Sequence, residues 1–283
     1  MFNLPKLPLA KWVNEFVNWL TQFEGFFQGI TNFLNAIINS FQWLFDLLPA
    51  WLFVVIIVAI TLYANRNKQK WSLIILEVLG FWYIANQGYW RDMTQTLTLV
   101  LTSSLIAIVI GIPLGIWMAK SNKVKTIVNP ILDFMQTMPA FVYLIPAVAF
   151  FGIGMAPGVV ASVIFAMPPT VRMTNLGIRQ VPEDLIEAAN SFGSTSWQTL
   201  TQVQLPIAKS TIMAGVNQSM MLSLSMVVIA SMIGAMGLGT QVYFAVGRND
   251  AGSGFTAGFA IVVLAIILDR VTQAFNKSQS KNK

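Results

Sequence analysis

Seven long apolar stretches, parted by short polar segments, dominate this chain of 283 residues. Their approximate bounds are 47–64, 71–88, 94–119, 131–151, 155–173, 211–236 and 254–275, each near the ~20 residues that carry a helix across a hydrocarbon core. In lipid a segment must satisfy its own backbone polar groups, so stretches of this length fold as helices. The expected fold class is an all-α membrane protein, a polytopic helical bundle of about seven transmembrane helices. The second stretch is the weakest, because Glu77 sits inside it. The fourth and fifth contain Pro139, Pro146, Pro168 and Pro169, tolerated in membrane helices where neighbours satisfy the freed carbonyls. Charged residues make up 10% of the chain, against roughly 25% in a soluble domain, which argues against a water-soluble globule.

Several chemistries are excluded by what the sequence lacks. It has no His and no Cys, so zinc sites of the usual kind, His-based triads, thiol nucleophiles and disulfides cannot be built. No metal or catalytic residues are expected. An intramembrane enzyme would have to work with very few buried acids. The formal charge of +6 reports loop topology in such a protein and not nucleic-acid binding.

Residues 1–46 are expected to form an external, amphipathic segment. Met1 to Pro8 has no h-region of a signal peptide. From Leu9 to Phe45, Trp, Phe, Leu and Ile recur at three- and four-residue steps, with Asn14, Asn18, Gln22, Asn32, Asn35 and Asn39 on the other side. Such a helix lies in the membrane interface or packs on other helices, and both readings stand at this point. Gly25 and Gly29 are candidate break points. Orientation follows from charge: Arg66, Lys68 and Lys70, then Lys120, Lys123 and Lys125, then Arg172, Arg179 and Lys209, then Arg270, Lys277, Lys281 and Lys283 fall on one side of the seven-span arrangement. Positive-inside bias makes that side cytoplasmic, with the C-terminus inside and the N-terminus outside. Stretches 47–93 then form two peripheral helices, 94–275 a core, and 276–283 a basic cytoplasmic tail that can also meet anionic lipid.

One hydrophilic segment, 174–209, interrupts the core on the cytoplasmic side. Pro182 suits the first position of a helix, and Glu183 and Asp184 complement its positive end. Leu185, Ala188, Ala189 and Phe192 make one apolar stripe, and Gly193 stands where a left-handed C-terminal cap belongs. Thr195 and Gln198 match a capping box that starts a second short helix. Pro206 predicts that this helix stops near Leu205. The segment reads as helix, glycine turn, helix: a compact cytoplasmic knob.

Glu187-Ala188-Ala189, then Gly193 six residues after Glu187, then Leu205-Pro206 with Pro206 thirteen after Gly193, resembles the signature of permease subunits of bacterial ABC importers. Val203 stands where that family often has isoleucine. Gln136 to Pro146, Phe165 to Arg172 and Ile233 to Gly239 narrow the resemblance to the glycine betaine, proline betaine and carnitine permeases of osmoprotectant uptake. The resemblance implies a type I importer transmembrane domain in the bacterial cytoplasmic membrane, a permease homodimer, a separate extracellular substrate-binding protein, and an ATP-binding cassette subunit into whose cleft the knob docks. Glu187, Ala188, Ala189, Gly193, Leu205 and Pro206 are then the coupling residues.

No Gly-x-x-x-x-Gly-Lys-Ser/Thr pattern occurs in the sequence, so ATP and Mg are expected on the partner ATPase, with no cofactor in this chain. A quaternary ammonium solute is held by aromatic faces. Met135, Met138, Phe141 and Tyr143 are candidates to line a path, as are Asn217 and Ser223 on a polar face shared with Ser219 and Ser225. Packing and interhelical hydrogen bonding are the plainer alternatives for all of them. Gly111 and Gly115 read as a close-packing pair, and Glu77 as a buried, neutral or paired structural residue more than a proton-coupling one. An ion-gradient transporter remains a second class, against which stand the isolation of Glu77 and the knob itself. Choline, carnitine or another small solute remain alternative substrates.

Overall fold

The computed structural model describes residues 8–64 and 71–279, Ala64 and residues 274–279 by backbone alone. Arg66, Lys68, Lys70, Lys281 and Lys283 lie outside the described residues. The described residues fold into helices throughout: α1 Leu9–Thr21, α2 Glu24–Leu47, α3 Ala50–Ala64, α4 Trp71–Asn86, α5 Trp90–Lys120, α6 Asn122–Thr137, a 3-10 turn Ala140–Tyr143, α7 Leu144–Phe151, α8 Met155–Arg179, α9 Glu183–Ser191, α10 Ser196–Gln198, a π-helical stretch Thr199–Gln204, α11 Leu205–Ser231, α12 Leu238–Gly247 and α13 Ala251–Gln279.

Four of these are long and apolar enough to cross a membrane: α5, α8, the continuous run Ser196–Ser231, and α13. Two bent pairs, α2 with α3 at 103° and α6 with α7 at 106°, bring the count to six if each is one span. α4 is the remaining apolar segment, and its 16 residues extend ~24 Å, short of a ~30 Å core. The stretch expected as the first span is therefore the shorter limb of a bent pair. The bend falls at Leu48, which is extended with ψ 120° because Pro49 follows it. The second bend has the same cause: Met138 is extended, ψ 136°, ahead of Pro139. The carbonyl of Met135, in the last turn of α6, would lose its partner there. The Tyr143 hydroxyl donates to it at 2.7 Å, which answers the orphaned acceptor.

The core is α8 held between α5 and α11. Glycines set the approach. A Cβ on Gly115 would stand 2.5 Å from Thr174 Cβ and 2.7 Å from the Val171 carbonyl oxygen, and one on Gly215 would stand 2.9 Å from the Pro169 carbonyl oxygen. Gly111 likewise faces Thr170, so the expected small-residue pair on α5 does pack on one neighbour. Buried hydroxyls bridge the same three helices, Thr170 with Ser219 at 2.7 Å and Ser104 donating to Ser223 at 3.4 Å. Without a hydrophobic drive between helices in lipid, close approach and such bonds supply the association.

The periphery is aromatic and aliphatic. Phe45, Phe53, Phe81 and Trp90 meet edge to face across α2, α3, α4 and α5. Glu77 is buried on α4; the Thr61 hydroxyl of α3 donates to its Oε1 at 2.6 Å, and its Oε2 has no partner among the described residues. The two N-terminal helices divide the alternatives left open above. α2 packs, burying Leu34, Ile38 and Phe45. α1 buries nothing and leaves Leu9, Trp12, Val13, Phe16 and Trp19 exposed. The break between them falls at Gln22–Phe23, not at Gly25 or Gly29, both of which lie inside α2. A helix interior accepts glycine at ~1 kcal/mol, which packing of α2 offsets.

Candidate functional site

The knob forms as local rules require, with two corrections. Pro182 is the residue before α9 and not its first member; Glu183 and Asp184 occupy the first turn. α9 ends in a Schellman motif. Gly193 has φ +78°, its amide donates to the Asn190 carbonyl at 2.9 Å, and the Ser194 amide donates to the Ala189 carbonyl at 3.1 Å. The capping box is reciprocal: the Gln198 amide donates to Thr195 Oγ1 at 3.3 Å, and the Thr195 amide donates to Gln198 Oε1 at 2.8 Å. The second helix, expected to stop near Leu205, does not stop. It passes through the π-helical stretch into α11, with Pro206 in the first turn of the renewed α-helix. Wider π turns displace the carbonyl that the proline ring would strike and need no amide from it.

The knob is pinned to the bundle by its interior side. Leu200 is buried with Ile178, Ala208, Ile212 and Val216, and Leu205 packs at the edge of this cluster. Pro206 is exposed. Its outer side is apolar and uncovered: Phe192 is 91% exposed, Trp197 70% and Leu185 45%. Glu187 and Ala188 are exposed beside them and Ala189 is half-buried. Three large apolar side chains on a water-facing knob mark an interaction surface. Trp197 went unremarked in the sequence, although a tryptophan inside a capping box in a polar segment was a legible signal.

Arg179 fastens the floor beneath the knob. Its guanidinium donates to Asn175 Oδ1 at 3.0 Å, to the Met118 carbonyl at 2.9 Å and to Asn122 Oδ1 at 2.7 Å, so α5, α6 and α8 meet at one side chain beside the knob. Such charge-assisted bonds are about twice as strong as neutral ones.

The six candidate path residues are not brought into one surface of the single chain. Tyr143 is 5% exposed and packs with Leu144, Ala147, Ala161 and Met226, Met138 at their edge. Ser223 is buried against Ser104. Asn217 donates to Asp269 Oδ1 on α13 at 2.8 Å. Met135 is half-buried, and Phe141 is exposed. The charge pair between α6 and α8 went unread in the sequence: Arg172, assigned there to a cytoplasmic loop, lies inside α8 because that helix continues to Arg179. Its Nη2 stands 2.5 Å from Asp133 Oδ1.

This arrangement of bundle and knob is that of a type I ABC importer transmembrane domain. A solved inward-facing structure of the MetNI methionine ABC transporter superposes with TM-score 0.63 at 21% identity, over 70% of this chain and 96% of that one. A solved amino acid ABC transporter gives 0.54 at 20% identity, over 69% and 97%. At these identities the likeness is one of fold. Membership comes from sequence: residues 111–281 match the family described as binding-protein-dependent transport system inner membrane component, and the chain belongs to that family. It is therefore a multi-pass protein of the cytoplasmic membrane and a translocation component of an importer. It is 73% identical over 98% of both chains to the glycine betaine/carnitine transport permease protein GbuB of Listeria monocytogenes. It is 54% identical over 96% of both to the glycine betaine transport system permease protein OpuAB of Bacillus subtilis. With the glycine betaine/proline betaine permease protein ProW of Escherichia coli it shares 48% identity over 98% of this chain and 77% of that one.

Proposed function

We propose that this chain is the membrane-spanning permease of an ATP-driven, binding-protein-dependent importer for glycine betaine or a related quaternary ammonium osmoprotectant. The observation that carries the substrate class is the 73% identity, end to end, with a glycine betaine/carnitine permease. Carnitine is the second reading for the same reason. The observation that supports coupling is the knob, rigid through its two caps and apolar on its outer side. An ATP-binding cassette subunit docks on Leu185, Glu187, Ala188, Phe192 and Trp197. Gly193 holds the turn, and Leu205 and Pro206 lead motion into α11. The chain supplies no ATPase site of its own; ATP and Mg belong to the partner. Two copies of the permease enclose the passage, to which Met135, Met138 and Phe141 contribute a soft, weakly binding wall.

The N-terminus lies outside and the C-terminus inside. Positive-inside bias supports this, as does the stacking of Phe27 of α2 on Phe150 of α7 at 4.6 Å, since α7 leads into the basic-free loop at Gly152–Gly154. The exposed aromatic side of α1 rests in the outer interface of the bilayer. The test is reconstitution of the permease with its ATPase and binding protein in proteoliposomes. ATP-dependent uptake of radiolabelled glycine betaine is expected. A complex that hydrolyses ATP on addition of its binding protein, yet moves neither betaine nor carnitine, overturns the substrate reading.

A further inference from the structure

α6 has three distinct sides. Val124, Val128, Leu132 and Met135 face the bundle, packing with Met118 and Val171. Ile127, Ile131 and Phe134 are exposed and apolar. Asn129, Asp133 and Gln136, at steps of four and three, form a polar stripe. At 100° per residue the stripe and the exposed apolar side are on opposite faces, so the side suited to lipid is not the side that carries Asp133.

Arg172 meets Asp133 from α8. It lies seven residues before Arg179, ~10 Å deeper along the helix than the Arg179–Asn122 contact. Exposure of a charge to hydrocarbon at that depth is costly, so an unburied pair there suits a water-filled passage. Arg172 and Asp133 are 40% and 63% exposed at the side chain. Their contact is single: one guanidinium nitrogen meets one carboxylate oxygen, where such pairs are frequently two-pronged. Arg172 Nε is shut from solvent and has no partner among the described residues. The contact uses only Nη2 and Oδ1, which leaves Arg172 Nη1 and Asp133 Oδ2 outside it.

We propose that Arg172 and Asp133 form a partner-exchanging site for a zwitterionic solute in the inner half of the passage. This rests on the substrate class argued above. Arg172 takes the carboxylate of the solute through its free donors, and Asp133 faces the quaternary ammonium. That cation has no N–H to donate, so it requires a charge or an aromatic face and not a hydrogen-bond acceptor as such. The pair re-forms when the solute leaves, so each charge regains its partner. A site of this kind favours solutes bearing both charges over simple cations.

The complete complex, permease with ATPase and binding protein in proteoliposomes, tests this with Asp133→Asn, Arg172→Gln, the two together, and Arg172→Lys. Radiolabelled glycine betaine uptake per complex, hydrolysis without binding protein, and copurified ATPase are measured. Each single neutral variant and the double variant should lose about tenfold or more in uptake, with basal hydrolysis within about twofold of the unmodified complex. Arg172→Lys, which keeps the charge, should retain more uptake than Arg172→Gln. The double variant removes both charges and so leaves neither unpaired; normal uptake by it would overturn the proposal. Loss of uptake together with altered basal hydrolysis would make the pair a conformational latch and would also overturn it. If Arg172→Gln fails to assemble, Asp133→Asn decides, because its side chain is the more exposed. Failure of the unmodified complex to move betaine would count against the substrate reading, independently of the variants.

Discussion

The Ser194 amide donates to the Ala189 carbonyl across Gly193, 3.1 Å from nitrogen to oxygen. That bond ties the last alanine of the Glu-Ala-Ala run to the turn that follows it. It exists only because Gly193 adopts φ +78°.

Gly193→Asp should therefore spare insertion and abundance while uptake falls sharply. The strain of a side chain at that φ is ~1–2 kcal/mol, too little to unfold the bundle and enough to misalign a two-helix knob. Nothing lies within 4 Å of the added Cβ, so steric displacement of a neighbour is not the cause. Uptake and copurified ATPase, each normalised to membrane protein, are the measurements; normal uptake at equal abundance would sink the coupling role.

Phe192→Ser with Trp197→Ser should detach the ATPase without harming the fold. Both side chains are uncovered in the chain, at 91% and 70% exposure, so their removal costs the isolated permease little. Buried aromatic anchors at interfaces are worth about 2 kcal/mol or more each. Copurification of the ATPase should drop more than tenfold on that scale. Thermal stability of the isolated permease should be unchanged, and a matching loss of stability would show the residues to be structural.

Gly115→Leu should destabilise the permease itself. Its Cβ would meet the Val171 carbonyl and Thr174 at under 3 Å, and backbone cannot yield as a side-chain tip can. Forcing α5 and α8 apart costs ~1–3 kcal/mol, and detergent half-life should shorten accordingly. Gly25→Leu, with nothing within 4 Å, is the control and should leave stability in place.

Topology is open to direct labelling, since the native chain has no Cys. Asn14→Cys on α1 should react with an impermeant thiol reagent in intact cells, and Lys123→Cys at the start of α6 should react only after lysis. The reverse pattern would refute the external N-terminus.

What could be read from the sequence divides by range. The knob was legible almost residue by residue, because caps are written within six positions: Thr195 with Gln198, and Gly193 with the carbonyls just before it. The stop expected at Leu205 failed because the proline rule assumes α-helical bonding, and a π-helical stretch relieves the clash without ending the helix. The bend at Met138–Pro139 was foreshadowed by proline, but the Tyr143 hydroxyl that answers the orphaned Met135 carbonyl there was not. The pairing of Arg172 with Asp133 could not be read at all. It depends on how α6 lies against α8, and the charge count had already spent Arg172 on a loop. Of the six residues expected on one path, Tyr143, Asn217 and Ser223 are taken up by packing and interhelical bonds while Phe141 stays exposed; the sequence could not separate them, since apolar and polar side chains look the same there whether they line or fill.

Arg179 has one more consequence. It grips Asn122, the first residue of α6, while the far end of α6 is the break at Met138–Pro139. The helix between is a stiff arm of 16 residues, ~24 Å long, hinged at one end and held at the other beside the knob. A swing of about 10° at the hinge would move the held end ~4 Å. Asp133, four residues from the hinge-side end, travels only about a quarter as far. The geometry is that of a reduction lever: a displacement at the Asn122 end reaches Asp133 reduced about fourfold.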